Sequence, residues 1–389
     1  MSTQSSLRSR NSQRIECRHS AELRLRQLES ASYAEALPEG LHATHSITSE
    51  KQSLDFRRPP RTPNTYLSIL FGSICGVLAR KGLQELTTYK GSFLEGVVWA
   101  NFVACVIMGM AVESETVWGR LLDDSSHKPL YSSKGTIPLY VGITTGFCGS
   151  CSSFSSFILE AFTKGANLPP TSEHYPDSAY GILQVIEVLL AHLGISVGGF
   201  RIGAHLTRAV EKYPYSLSPN LYRMVEIACV GLGIASYVVV VVLIATKADG
   251  AWRSWTFSCL FAPWGAFARF WLSKLLNARV RDFPMGTYVA NFGGTILLGV
   301  FTLLARGRAS PDSVLPVVSR VLTCHVLTGL EDGFCGCLTT VSTFVVEICG
   351  LDLFRGYIYG AVSICTSFVA MLLIVGSYNW AVGFTAPVC

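Results

Sequence analysis

The chain has 389 residues, of which half are hydrophobic and only 15% charged, and its mean hydropathy is +0.39. That composition excludes an ordinary soluble domain, which carries roughly a quarter charged residues, and points to a membrane protein. The net charge of +5 does not signal nucleic acid, because Lys and Arg sit mostly in an amino-terminal tail and in loops, where they act as topology signals.

Residues 1–64 are rich in Ser, Arg, Glu and Gln, carry few aromatics and lack the apolar core of a signal peptide, so they read as a disordered cytoplasmic tail. Within it, IECRHSAELRLRQLES could form a short amphipathic helix at a membrane surface, but a solvated tail is the simpler reading. From Leu67 the hydropathy predicts four spans, at roughly 67–85, 93–112, 136–163 and 179–205. A lone span follows at roughly 224–246, then four more at about 255–277, 284–305, 317–348 and 356–380. The predicted class is therefore an all-α membrane protein of nine transmembrane helices, with the lipid bilayer as its solvent.

Three landmarks recur in order. Arg80 and Arg269 are separated by 189 residues (269 − 80), Asn101 and Asn291 by 190 (291 − 101), and Gly146 and Gly333 by 187 (333 − 146). A near-constant offset marks a tandem repeat. Four crossings return a chain to its starting side, so the lone fifth span inverts the second copy. The expected organisation is a four-helix domain at 65–207, a linker with the fifth helix at 208–250, and an inverted four-helix domain at 251–389. Excess Lys and Arg in the short loops of the amino-terminal side put the amino terminus in the cytoplasm and the carboxyl terminus outside.

The repeat is clearest in the third span of each copy, where residues 146–160 read GFCGSCSSFSSFILE and residues 333–347 read GFCGCLTTVSTFVVE. Glycines followed by hydroxyls can break a helix, and a break survives at membrane depth only where protein, an ion or water satisfies the freed backbone. Two such breaks from inverted copies could meet, and the carbonyls of Gly149, Ser150, Gly336 and Cys337 would then form an oxygen cage for a hard cation. Close packing of small residues is the alternative for one copy alone; its recurrence beside a membrane asparagine in each half argues for more. Asn101 and Asn291 place amide donors in apolar helices, where an unbonded amide costs several kcal/mol. Phenylalanine ring edges are electropositive, so Phe154, Phe157 and Phe344 beside hydroxyl and amide donors suit a small dehydrated anion.

The thirteen cysteines lie largely in apolar runs and are read as packing residues, with no weight given to disulfides; the Cys148–Cys151 pair lacks companions at zinc-site spacing. Arg80 and Arg269 end the first spans and are read as snorkelling to the interface, with anchoring of the broken helices through carbonyls as the alternative. No Ser-His-Asp grouping, HExxH or phosphate loop points to an enzyme.

Over residues 67–380 the chain resembles the small fluoride channels, called Fluc in bacteria and FEX in eukaryotes. The resemblance rests on GSICGVLAR and WGAFARF in the first spans, the asparagine of the second spans, the GFCG phrase of the third, and Tyr359 with Ser363 in the last. It implies a passive, highly selective fluoride channel in a eukaryotic plasma membrane, in which one chain stands for the antiparallel dimer of the bacterial proteins. A monomer acting as an internal pseudo-dimer is expected. The resemblance assigns Asn101, Asn291, Phe154, Phe157, Phe344, Ser155, Ser156, Ser342, Thr343, Tyr359 and Ser363 to fluoride passage. It assigns the carbonyls of Gly149, Ser150, Gly336 and Cys337 to a structural sodium ion.

The copies disagree at two places. Val341 stands where the first copy has Phe154, and an alignment through GGFRIG sets Gln184 and Val188 against Tyr359 and Ser363. These departures predict one working pore around Phe154, Phe344, Tyr359 and Ser363, and one vestigial pore around Val341, Phe157 and Val188. Two other classes compete. A proton-coupled transporter of a small anion would use Glu160, Glu187, His192, Glu347 and the Glu331–Asp332 pair. A non-transporting membrane scaffold would use the polar residues only as bonds between helices.

Overall fold

In lipid every backbone polar group must be paired within the chain, so long apolar runs have helix as their local solution. The computed structural model describes residues 63–89, 92–122, 131, 133–168, 175–177, 179–213, 216–246, 252–280 and 282–389. Long helices run over Pro63–Thr87, Val97–Glu113, Ala179–Val210, Pro219–Thr246, Arg253–Leu276, Met285–Arg306 and Leu353–Met371. Proline opens two of them, at a position whose N–H has no helical partner to lose. Among the described residues, six helical segments are long and apolar enough to cross a bilayer. The number is seven if Val97–Glu113 and Thr116–Leu122, which meet at a 47° bend, form one span. Among the described residues, β-structure is limited to two isolated bridges. The first helix starts at Pro63, just inside the expected tail; the remainder of that tail lies outside the described residues.

The segments carrying the repeated phrase depart from regular helix. The first passes through Pro138–Val141, a widened π-type turn over Gly142–Cys148 and a short Gly149–Cys151 helix. It becomes extended at Ser152 (φ −82°, ψ 151°) and resumes as Phe154–Gly165. The second follows the same course through Val321–Gly329, a π-type turn over Leu330–Cys335 and Gly336–Leu338. It becomes extended at Thr339 (φ −91°, ψ 150°) and resumes as Ser342–Gly350. Besides packing within its own half, each resumed helix packs against the other half. Phe154–Gly165 lies on Met285–Arg306 and Leu353–Met371, and Ser342–Gly350 on Val97–Glu113 and Ala179–Val210.

One buried apolar cluster consequently takes in residues of both halves, among them Ala100, Phe154, Phe157, Val188 and Phe200 with Val341, Phe344, Tyr359 and Met371. The Pro219–Thr246 helix behaves differently, burying only Tyr222, Glu226, Gly233 and Val240. Its Val238, Val239, Val241 and Val242 face outward, as a lipid-facing surface requires.

One expectation is overturned. Cys324 and Cys389, 65 residues apart, form a disulfide with 5.9 Å between their Cα atoms. It fastens the carboxyl-terminal segment to the start of the Val321–Gly329 helix. Nothing in the spacing of thirteen cysteines singles out that pair; only the fold brings them together.

Two close helix contacts are set by glycine. A Cβ on Gly109 would fall against the Phe200 carbonyl oxygen, and one on Gly203 against that of Val106, so the Val97–Glu113 and Ala179–Val210 helices touch backbone to backbone. Gly203→Ala is expected to cost about 1–3 kcal/mol of overpacking. Gly194→Ala, on the same helix but facing open space, should stay within about 0.5 kcal/mol of the parent. Thermal unfolding of the two variants in detergent checks the difference.

Candidate functional site

A helix that stops at membrane depth strands N–H donors on one side of the break and carbonyl acceptors on the other. Here the asparagines take the donors. The Ser153 N–H donates to Asn101 Oδ1 at 2.9 Å, and the Thr340 N–H to Asn291 Oδ1 at 2.8 Å. Both asparagines are fully buried.

Hydroxyls then cap across the two halves. Ser152 Oγ accepts the N–H groups of Val341 and Ser342 at 3.2 and 3.1 Å, while Thr339 Oγ1 accepts that of Ser155 at 3.1 Å. Ser152 and Thr339 are counterparts in the repeat, so each break closes the first turn of the other's resumed helix. The side chains of Ser155 and Thr339 also meet at 2.9 Å, and those of Ser152 and Ser342 at 3.1 Å. Of the other hydroxyls picked from sequence, Ser156 pairs with Ser153 at 2.9 Å, and the Thr343 N–H reaches Thr340 Oγ1 at 3.4 Å. This set therefore binds the breaks to themselves and to each other.

Arginines take the carbonyls. Arg80 donates through Nη1 to the Gly336 carbonyl at 2.7 Å and through Nη2 to that of Asp332. Arg269 donates through Nε to the Cys337 carbonyl at 3.1 Å and through Nη2 to that of Thr145 at 2.7 Å. Their exposures are 1% and 0%, which overturns the snorkelling expectation: the planar fork of donors is matched to the freed carbonyls instead. Gly149 and Gly336 are needed here because a Cβ on either would run into a guanidinium. Lys81 pairs with Asp332 at the same place.

Beyond the breaks, aromatic and ionisable side chains form two matching groups. In the second half, the Phe344 ring lies 5.2 Å from both Phe154 and Tyr359, the former edge-on at 70°. Tyr359 Oη donates to Glu347 Oε2 at 2.6 Å, and Thr287 Oγ1 to Glu347 Oε1 at 2.6 Å. Ser363 lies four residues past Tyr359, buried, and its hydroxyl has no hydrogen-bond partner among the described residues. In the first half, the Phe157 ring stacks on His192 at 4.8 Å and 26°. His192 Nε2 meets Glu160 Oε2 at 3.1 Å, and Ser196, four residues on, is buried and without a nitrogen or oxygen partner among the described residues.

Glu160 and Glu347 occupy equivalent positions, so the partners they choose identify the counterparts in the last spans. His192 answers to Tyr359, and Ser196 to Ser363. The alignment of Gln184 and Val188 with those residues is thereby corrected: Gln184 pairs with the exposed Glu187 at 3.4 Å, and Val188 is a core residue. The sequence alone points to Glu160, Glu347 and His192 only as residues of a competing transporter and does not single out Thr287 or Ser196. The signal available is the FxxE spacing that starts at the last phenylalanine of each phrase.

A family model described as CrcB-like protein, Camphor Resistance (CrcB), matches the chain twice, over residues 67–198 and 256–376. The chain is 49% identical over 360 residues to Fluoride export protein 1 of Candida albicans, covering 92% of this chain and 90% of that one. Fluoride export protein 1 of Saccharomyces cerevisiae is 30% identical over 362 residues, covering 81% of this chain and 93% of its own. The Fluoride-specific ion channel FluC of Acinetobacter baylyi, 31% identical, matches 30% of this chain with 86% of its own length. No solved structure matches.

Replacing a forked guanidinium by a single ammonium keeps the charge and loses the second bond. Arg80→Lys and Arg269→Lys should each lower stability by about 1.5–3 kcal/mol, the range for a hydrogen bond to a charged group. Thermal unfolding checks this, and an unchanged midpoint in both variants would mean that the ties contribute nothing.

Proposed function

The chain belongs to the CrcB-like family, and on that footing we propose that it is a passive, selective fluoride channel that exports fluoride from the cytosol. It is not an enzyme. Hydrogen fluoride crosses bilayers as the neutral acid and ionises inside, so a simple path for the anion lets the negative interior drive it out. The observation that carries the reading is the edge-on Phe154–Phe344 pair, continued by Tyr359, in a chain so similar to fungal fluoride export proteins. Ring edges offer a bare anion positive charge without the water that would admit larger ions.

The architecture that fits is nine spans: two inverted units of four around the Pro219–Thr246 helix, with domains at 65–207 and 251–389. The Arg253–Leu276 helix and the broken segment at 138–165 complete the count beyond the seven most apolar spans. The double family match and the matching asparagine ties at the two breaks support the repeat. The chain would work as a monomer that holds both halves of a dimer, in the plasma membrane with its amino terminus in the cytoplasm. An outside carboxyl terminus agrees with the Cys324–Cys389 disulfide, because such bonds persist in oxidising surroundings.

Sodium at the breaks fits the donors present. The carbonyls of Gly149, Ser150, Gly336 and Cys337 are hard oxygen ligands; those of Gly336 and Cys337 already accept from Arg80 and Arg269 and would offer their second lone pair, and Ser150 Oγ is buried with no nitrogen or oxygen partner among the described residues. The ion's part would be structural, adding positive charge where the two arginines already draw carbonyls together.

Fluoride would pass along Phe154, Phe344, Tyr359 and Ser363, with Asn291 beside them; the pathway around Phe157 and Asn101, with Val341 in place of a ring, would be the vestigial one. A coupled transporter finds less support, because Glu187 is exposed and Asp332 is bound to Lys81. Purified chain in liposomes, under a potassium gradient clamped by valinomycin, should release fluoride without chloride and without a proton gradient. Phe154→Ala should lower that flux by about tenfold, equivalent to roughly 1.4 kcal/mol, and Phe157→Ala by less than about twofold. Equal losses would contradict the asymmetry, and release that requires a proton gradient would contradict the channel.

A further inference from the structure

The two groups beyond the breaks share a plan and differ in one part. Where the second half has Tyr359, with one hydroxyl on Glu347, the first has His192, whose ring is held on two sides. Asn101 Nδ2 lies 3.3 Å from His192 Nδ1, and Glu160 lies on Nε2. The break fixes the direction of these bonds. Because Asn101 Oδ1 already accepts the Ser153 N–H, its amide nitrogen faces the histidine, so Nδ1 must accept and Nε2–H must donate to Glu160. The imidazole thus bridges Asn101 to Glu160 with its face against Phe157, and His192 and Glu160 are each only 1% exposed.

Each of these contacts removes something an anion needs. The Asn101 amide, one of the donors the first-half group could offer, is occupied by the ring nitrogen. The Phe157 ring turns one face to the imidazole at 26° while meeting Phe154 edge-on at 5.8 Å and 84°, whereas Phe344 meets Phe154 edge-on with Tyr359 rather than an imidazole beside it. In the second half the counterparts bond differently: Asn291 Nδ2 donates to the Thr340 carbonyl of its own break at 3.1 Å, and Tyr359 Oη donates to Glu347.

We propose that His192 is the residue that closes the first-half pathway, a polar strut between Asn101 and Glu160 that keeps it silent. This rests on the asymmetry set out above and assigns its cause. The missing phenylalanine at Val341 leaves the anion without a ring, but the strut alone is enough to bar it.

The test uses the full chain in liposomes with a fluoride electrode, in a background where Phe344→Ile has disabled the working pathway. To that background Val341→Phe is added alone, and then together with His192→Tyr, which copies Tyr359. The background and the Val341→Phe form should be silent, and the form that also carries His192→Tyr should recover flux on the order of tenfold above them. His192→Ala, whose methyl group reaches neither Asn101 nor Glu160, replaces the tyrosine variant if that one does not elute as a single species. Flux with Val341→Phe while His192 remains would overturn the proposal, as would silence after His192 is replaced in a well-folded chain. Flux in the Phe344→Ile background itself would instead remove the asymmetry on which the proposal stands.

Discussion

The constraint on which this structure depends is the pairing of backbone groups at two helix breaks inside a membrane. Each unpaired group there would cost several kcal/mol. The chain meets that demand with side chains of fixed geometry: an amide for the freed N–H, hydroxyls for the next turn, a guanidinium fork for the carbonyls. Several of these reach across from the other half. Arg80 serves the break at Gly336, Ser152 caps Ser342, and Thr339 caps Ser155, so neither break is satisfied within its own half. The sharing of one buried cluster by residues of both halves follows from that exchange.

Much of this was legible in the sequence, for identifiable reasons. Apolar runs of bilayer length and a constant offset between Arg, Asn and Gly landmarks survive divergence because both are set by the membrane and by the breaks. The asparagines were legible as buried amides but not as staples, since an amide both donates and accepts and only geometry says which end meets the break. Arg80 and Arg269 were ambiguous because a snorkelling arginine and a carbonyl tie look alike at the end of a helix. The Cys324–Cys389 bond left no trace among so many apolar cysteines.

The last spans were the hardest to align. Tyrosine and histidine share little in sequence, and the loops before them differ in length. The glutamates three residues after Phe157 and Phe344 resolve the register, because each reaches one partner in the last span: His192 for Glu160 and Tyr359 for Glu347. The same comparison turns a difference in letters into a difference in mechanism. Fusion of two copies in one chain releases each from the other's requirements, so His192 and Tyr359 can stand at equivalent places with different partners, and the proposed division of labour between the two pathways rests on that freedom. Glycine at 149 and 336 has no such freedom, because both guanidiniums need the space.

A passive path for one anion has a thermodynamic signature that no coupled carrier shares. The most direct measurement is the reversal potential of the fluoride current in planar bilayers, recorded under a fixed fluoride gradient with and without a pH difference across the membrane. A reversal potential that follows the fluoride gradient and does not move with pH is the result this account predicts. A potential that shifts with the proton gradient, or follows chloride, would contradict it.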